Sequence, residues 1–269
     1  MNRVIKRVKG IAFTLLYIGI YYIVSFVLYN LLFLWARIGG TSFSEIEERV
    51  LNNSYAVTAA VGVVCLIIYY FIGKLRKQPL ESVVKRKNVP TIIYAMAVIL
   101  AIGCRFLVSV YYSFAQKITV LEKSIEKAAE INPEITTVAQ LFTALFCVAV
   151  FAPFFEEIMF RGLVMTELLK IMRPWAAIGL QAIIFGGIHG VLFQSVFAFV
   201  IGIALGILYY RSQNILVAMT CHSAFNISTV FMQDNLSVSG VLVYSIGGIL
   251  LCTLSLIYIF SNLRKDSRH

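Results

Sequence analysis

Eight apolar stretches separated by short polar ones run the length of this chain: residues 11–36, 55–73, 91–112, 137–153 with a continuation to 172, 175–193, 195–210, 214–233 and 240–261. A bilayer core of ~30 Å takes about 20 apolar residues per helix. The pattern therefore predicts an all-α polytopic membrane protein with about eight transmembrane helices. Between residues 120 and 133 the pattern becomes amphipathic and mixed in charge, which predicts a short surface helix on the outer side. Asn132-Pro133 then breaks the chain before the fourth span.

The polar segments alternate in sign. Lys and Arg collect at residues 3–9, 74–87 and 170–173, at Arg211, and at Arg264, Lys265 and Arg268. The opposite segments hold Glu45, Glu47 and Glu48, then Glu122, Glu126, Glu130 and Glu134, then Asp234. Basic residues stay on the cytoplasmic side, so both termini are expected there, as an even span count requires. The basic opening MNRVIKRVKG leads into an apolar run longer than a signal-peptide core. No small-residue cleavage site follows, so that run is read as a retained first span. A single membrane domain (1–269) is expected. Residues 1–136 supply three spans and the outer amphipathic segment, 137–233 the polar-bearing core, and 234–269 the last span and a basic tail.

Composition agrees with this class. Hydrophobic residues make up 60% of the chain and charged ones 13%, against about 25% charged in a soluble domain. The net charge of +10 is accounted for by topology, and no nucleic-acid partner is implied. The five cysteines lie inside apolar runs without a CxxC pair, so they read as packing thiols.

Three polar clusters interrupt the apolar pattern. They are Glu156-Glu157 with Arg161, Phe185 with His189, and His222 with Asn226. An ionisable group in a membrane segment costs roughly 2.5–3.5 kcal/mol on insertion scales, which makes each a functional candidate. Arg105, alone in the earlier spans, either snorkels or pairs inside the bundle. Pro153 should kink or break the fourth span, so that the carboxylates open a new helix, where its dipole favours them. Glu157 and Arg161 are four apart and suited to pair. Glu156, about 100° further round, is left to face a cavity. Counting ~1.5 Å per helical residue along the successive helices returns His189 and then His222 to the level of the glutamates. The three clusters thus share one layer, in the cytoplasmic half of the membrane. The small residues of Gly186-Gly187-Ile188-His189-Gly190, and Gly202 with Gly206, let helices approach closely.

Two chemistries fit these residues. A glutamate beside a histidine can take a proton from water, while histidine and asparagine N–H groups stabilise an oxyanion. Alternatively, Glu156, His189 and His222 form the two-histidine, one-carboxylate set of a catalytic zinc, although the spacing is not HExxH. No GxSxG elbow or phosphate loop is present.

Phe155-Glu156-Glu157-Ile158-Met159-Phe160-Arg161-Gly162, Phe185-x-x-x-His189 and His222-x-x-x-Asn226 resemble the three motifs of the CPBP family of intramembrane proteases. That family includes the type II CAAX prenyl endopeptidases and bacterial bacteriocin-processing and self-immunity proteins. The resemblance spans residues 149–228. It implies an eight-helix fold with its site inside the membrane, open toward the cytoplasmic leaflet. It also implies an endopeptidase whose substrate is a membrane-associated protein or peptide. In that reading Glu156 and His189 activate water, and His222 and Asn226 bind the oxyanion. Glu157, Arg161 and Phe185 support the site. No cofactor is required in the favoured version, and Zn2+ is the alternative. The compact chain with short loops is bacterial in style, which suggests a plasma-membrane protein. Two other functions share these features. A non-proteolytic regulatory or immunity protein of the same fold would tolerate loss of Glu156. A proton-coupled transporter would show broken helices in paired halves, whereas here the polar residues occupy one half.

Overall fold

The structure, a computed structural model, describes residues 3–42, 45–46, 54–131, 135–232 and 235–263. Glu47, Glu48, Asn132, Pro133, Glu134, Asp234, Arg264, Lys265, Arg268 and His269 lie outside the described residues. The chain is an all-α polytopic membrane protein. Its helices are α1 (Arg3–Ile38), α2 (Ser54–Leu75), the short α3 (Leu80–Val83), α4 (Thr91–Ala115) and α5 (Thr119–Ile131). They continue with α6 (Val138–Leu169), α7 (Pro174–Gly187), α8 (Leu192–Ser212), α9 (Ile215–Phe231) and α10 (Val238–Asn262). No strand forms among the described residues; one isolated bridge pairs Arg86 with Asn214.

Six of these helices (α1, α2, α4, α6, α8 and α10) are long and apolar enough to cross a membrane. The other two apolar helices are shorter than the pattern predicts, at 14 residues for α7 and 17 for α9. At ~1.5 Å per residue they fall short of the ~30 Å core. Glycine sets the end of α7. After Gly186 and Gly187 the chain turns through Gly190, whose φ of 70° suits a residue without a Cβ. The predicted amphipathic segment is α5, with Glu122, Glu126 and Glu130 exposed and Ala128 buried.

Two apolar cores share the interior. In one, Leu100 of α4, Leu205 and Leu208 of α8, Val217 of α9 and Ile259 of α10 pack together. In the other, Tyr17 of α1, Tyr69 of α2, Met159 and Phe160 of α6 and Phe185 of α7 pack together. The outward faces of α1 and α10 expose Phe26, Leu254 and Ile257, as expected of surfaces that meet lipid. Close approach between α4 and α10 depends on Gly103, where a Cβ would sit 2.9 Å from Cys252 Sγ. Arg105 is 1% exposed. Its guanidinium donates to Ser109 Oγ and to the Met232 carbonyl, so it is held inside the bundle and does not snorkel.

The expected break at Pro153 does not occur. The α6 helix runs unbroken from Val138 to Leu169, started by a capping box between Thr137 and Gln140. A π-helical stretch, Leu145–Phe151, absorbs the proline, with the Ala152 N–H reaching back five residues to the Cys147 carbonyl. In that register the acceptor opposite residue 153 is Val148, and proline has no N–H to offer it. Asn226 Nδ2 on α9 donates to this carbonyl instead, at 2.7 Å. Glu156 and Glu157 therefore lie mid-helix, and the helix-terminus dipole suggested for them does not apply.

Candidate active site

Glu156 and Glu157 leave α6 in different directions, as the ~100° step of a helix dictates. The Glu157 side chain is fully buried, and that of Glu156 is 20% exposed. Glu157 Oε1 accepts from two cationic or potentially cationic groups, Arg161 Nη1 and His222 Nδ1, each at 2.8 Å. The second nitrogen of the Arg161 fork, Nη2, donates to the Gly202 carbonyl at 3.1 Å. A charge buried this deeply needs such pairing.

Gly202 serves this network through its backbone. A Cβ there would lie 3.1 Å from the Phe185 ring and 3.2 Å from Ala182, so the absence of a side chain eases the close approach at which its carbonyl meets Arg161. Gln181 Nε2 donates to the same carbonyl at 2.8 Å. Gln181 is fully buried and was not among the residues expected from sequence. The signal available was a lone glutamine one helical turn before Phe185 in an otherwise apolar helix.

The two interior histidines are held differently. His189 stands just beyond the last turn of α7, its Nδ1 2.8 Å from the Phe185 carbonyl. A carbonyl only accepts, so Nδ1 carries the proton and, in the neutral ring, Nε2 is a bare acceptor. His222 Nδ1 likewise faces an acceptor, Glu157, while its Nε2 is 3.7 Å from Glu156 Oε2. That separation is too long for a direct hydrogen bond, and Glu156 Oε2 has no hydrogen-bond partner among the described residues. The Phe185 ring lies edge-on to both imidazoles, with centroids 5.1 Å from His189 and 5.8 Å from His222. It also packs against the Arg161 guanidinium at 4.8 Å.

Glu156, His189, His222 and Asn226 all line one cavity of about 1040 Å³. Glu157, Arg161 and Phe185 do not reach it and back it from behind. The cavity continues past Ala152, Val148 and Phe225 to Arg105, Tyr112 and α5.

Residues 138–228, about a third of the chain, match the family model described as Rce1-like, type II CAAX prenyl endopeptidase. The match supports a place for this stretch in the CAAX-type intramembrane protease family. The matched segment runs from the start of α6 to near the end of α9 and so contains all three polar clusters. No curated protein and no solved structure matches the chain.

Among the described residues no three His, Cys, Asp or Glu side chains gather closely enough to hold an ion.

Proposed function

We propose that the chain is an integral membrane endopeptidase of a bacterial plasma membrane, cleaving a peptide bond of a membrane-associated protein or peptide by direct attack of water. The observation that carries this reading is the single cavity onto which Glu156, His189, His222 and Asn226 all open, with an unpartnered Glu156 oxygen beside it.

The hydrogen bonds distribute the roles. Glu156 takes a proton from water, with His189 Nε2 accepting the water's second hydrogen and fixing its lone pair toward the substrate carbonyl. The water oxygen bonds to the carbonyl carbon, and the carbonyl electrons move onto its oxygen. His222, its Nδ1 held by Glu157, turns its Nε2 edge to that oxyanion. Asn226 spends one amide hydrogen on Val148, which fixes the plane of its amide, and directs the other at the oxyanion. As the tetrahedral intermediate collapses, the C–N bond breaks and Glu156 returns its proton to the leaving amine. No step passes through a metal.

The test is Glu156→Gln, with the variant's insertion and thermal unfolding checked against wild type. Cleavage of a membrane peptide is expected to fall by about 100-fold or more, the usual scale for a lost general base. Wild-type activity is expected to survive a strong chelator. Normal processing by Glu156→Gln would falsify the reading and leave a regulatory role for the same fold.

A further inference from the structure

We infer that Gln181 is a positioning residue of the proposed protease site, acting from behind the cavity through the Gly202 carbonyl and Arg161 on the Glu157–His222 pair. This rests on the proteolytic reading above and adds to it a residue that does not line the cavity.

Gln181 sits where three helices meet. It belongs to α7, one turn before Phe185 in the helix that leads to His189. Its Nε2 donates to the Gly202 carbonyl of α8 at 2.8 Å and to the Ile178 carbonyl of its own helix at 3.1 Å. A carbonyl only accepts, so these two bonds fix which end of the amide is the nitrogen. They also leave the amide little freedom to turn. On the α8 side it lies against Gly206, where a Cβ would come within 2.7 Å of Nε2. Arg161 reaches the same Gly202 oxygen from α6, with Nη2 at 3.1 Å.

Stability alone does not account for a glutamine at this place. Gln181 is fully buried, and its Oε1 has no hydrogen-bond partner among the described residues. A buried acceptor left unmet costs free energy. A methionine would fill the same length of an apolar helix without that cost. The Gly202 carbonyl has no shortage of donors either. Inside α8 it faces the N–H four residues on, and it also holds Arg161. What the second side-chain donor adds is direction. Helix carbonyls tilt toward donors outside the helix, so Gln181 draws the Gly202 oxygen to the side on which Arg161 meets it.

From that oxygen the contacts run to the chemistry. Arg161 holds Gly202 with one arm of its planar fork and Glu157 with the other, so the placement of the first arm governs the second. Glu157 Oε1 in turn takes His222 Nδ1 at 2.8 Å, and that bond sets the angle at which Nε2 faces the cavity. Loosening the Gly202 end lets the guanidinium rotate, and the shared Glu157 oxygen follows it. Misplacing a reacting group by about 1 Å can cost about 100-fold in rate. Because Gln181 does not line the cavity, substrate binding is left as it was. The expected signature is a loss in kcat at unchanged KM.

The experiment is a double-mutant cycle between Gln181→Met and Arg161→Lys in the full chain, read in kcat and KM for a membrane peptide and in thermal unfolding. Lysine keeps a charge for Glu157 but has no planar fork to span Glu157 and Gly202 together. In the wild-type background Gln181→Met is expected to lower kcat by about tenfold, with KM within about twofold, and to leave the unfolding midpoint within about 4 °C of wild type. In the Arg161→Lys background the same change is expected to cost less than about twofold in kcat, because the arm it supported is gone. Gln181→Asn, whose shorter side chain withdraws the amide from the carbonyl, goes through the same cycle with the same expected pattern, and it decides the outcome if the methionine variant does not fold. Equal kcat losses in both backgrounds, a loss carried by KM, or an unchanged kcat overturns the inference and leaves Gln181 to packing. Glu156→Gln is scored separately: if it cleaves normally, the proposed chemistry fails while the cycle still decides whether Gln181 acts through Arg161.

Discussion

Glu157→Gln separates the two tasks assigned to Glu157, neutralising Arg161 and orienting His222. The substitution keeps the shape and one acceptor oxygen but removes the charge. Two hydrogen bonds of 2.8 Å, from Arg161 and from His222, then lose their charge assistance, which is about half their strength. Arg161, with no exposed side-chain surface, is left as a buried cation without its contact partner. Breaking a buried ion pair costs roughly 3–5 kcal/mol. The acceptor retained by glutamine places this variant at the low end, about 3 kcal/mol, or roughly 6–12 °C in unfolding midpoint for a chain of this size. Adding Arg161→Met removes the stranded cation. A buried pair replaced by apolar side chains of similar volume is often no less stable than the original, so the double variant is expected to regain most of the midpoint. Cleavage is not expected to return, because His222 Nδ1 still faces only an amide. The assay is thermal unfolding in detergent alongside peptide cleavage, for wild type, both single variants and the double. A double variant that unfolds as early as Glu157→Gln refutes the burial argument. One that recovers full cleavage refutes the claim that the Glu157 charge acts on His222.

Three further outcomes are expected. Gly103→Ala would bring a methyl to 2.9 Å from Cys252 Sγ and Leu251 Cβ and 3.0 Å from the Cys252 backbone nitrogen. It should destabilise by about 1–3 kcal/mol, whereas Gly179→Ala, which meets nothing within 4 Å, should be neutral or stabilising by up to about 1 kcal/mol; equal unfolding midpoints for the two count against the α4–α10 packing described. Phe185→Leu removes the ring that touches both histidines and Arg161. Its cleavage rate should fall more than a stability loss of about 0.5–1.5 kcal/mol for the missing aromatic contacts would explain, and a parallel loss of both would reduce Phe185 to packing. Arg76 reaches Glu167 at 2.9 Å and the Tyr17 hydroxyl at 2.6 Å, with Phe13 stacked 3.4 Å beneath its guanidinium. Arg76→Lys cannot keep that fork and stack, and a double-mutant cycle with Glu167→Gln should show a coupling of about 0.5–3 kcal/mol in unfolding; additive effects would mean that the pair is not coupled.

Much of this arrangement is legible in one dimension because a membrane makes polar residues conspicuous. The divergence of Glu156 and Glu157 follows from helical angle alone, and the Glu157–Arg161 pair from a spacing of four. Burial of Arg105 is one of two outcomes the sequence allowed. The bonds that cross between helices are another matter. Nothing in the spacing of Glu157 and His222, 65 residues apart, announces that they touch. The same is true of Gln181, whose amide meets Arg161 on the shared Gly202 carbonyl.

Pro153 shows how the chain avoids a break and what that does for the site. Read alone, a proline in an apolar helix predicts a kink or a break, because its own turn loses a hydrogen bond. In α6 the preceding turns widen to a π register and the orphaned carbonyl passes to Val148. A helix carrying a buried, unmet carbonyl would be costly, so the continuous helix is stable only if another element supplies a donor. Asn226 supplies it from α9, one turn beyond His222. The proline thereby ties the helix bearing the two glutamates to the helix bearing the second histidine, and it fixes the amide assigned to the oxyanion. Asn226→Asp, which can no longer donate there, should therefore cost both stability and cleavage. Pro153→Ala restores an N–H at residue 153, so the same Asn226→Asp change in that background should cost less stability while cleavage stays low. An equal stability cost in both backgrounds would show that Asn226 does not complete the helix.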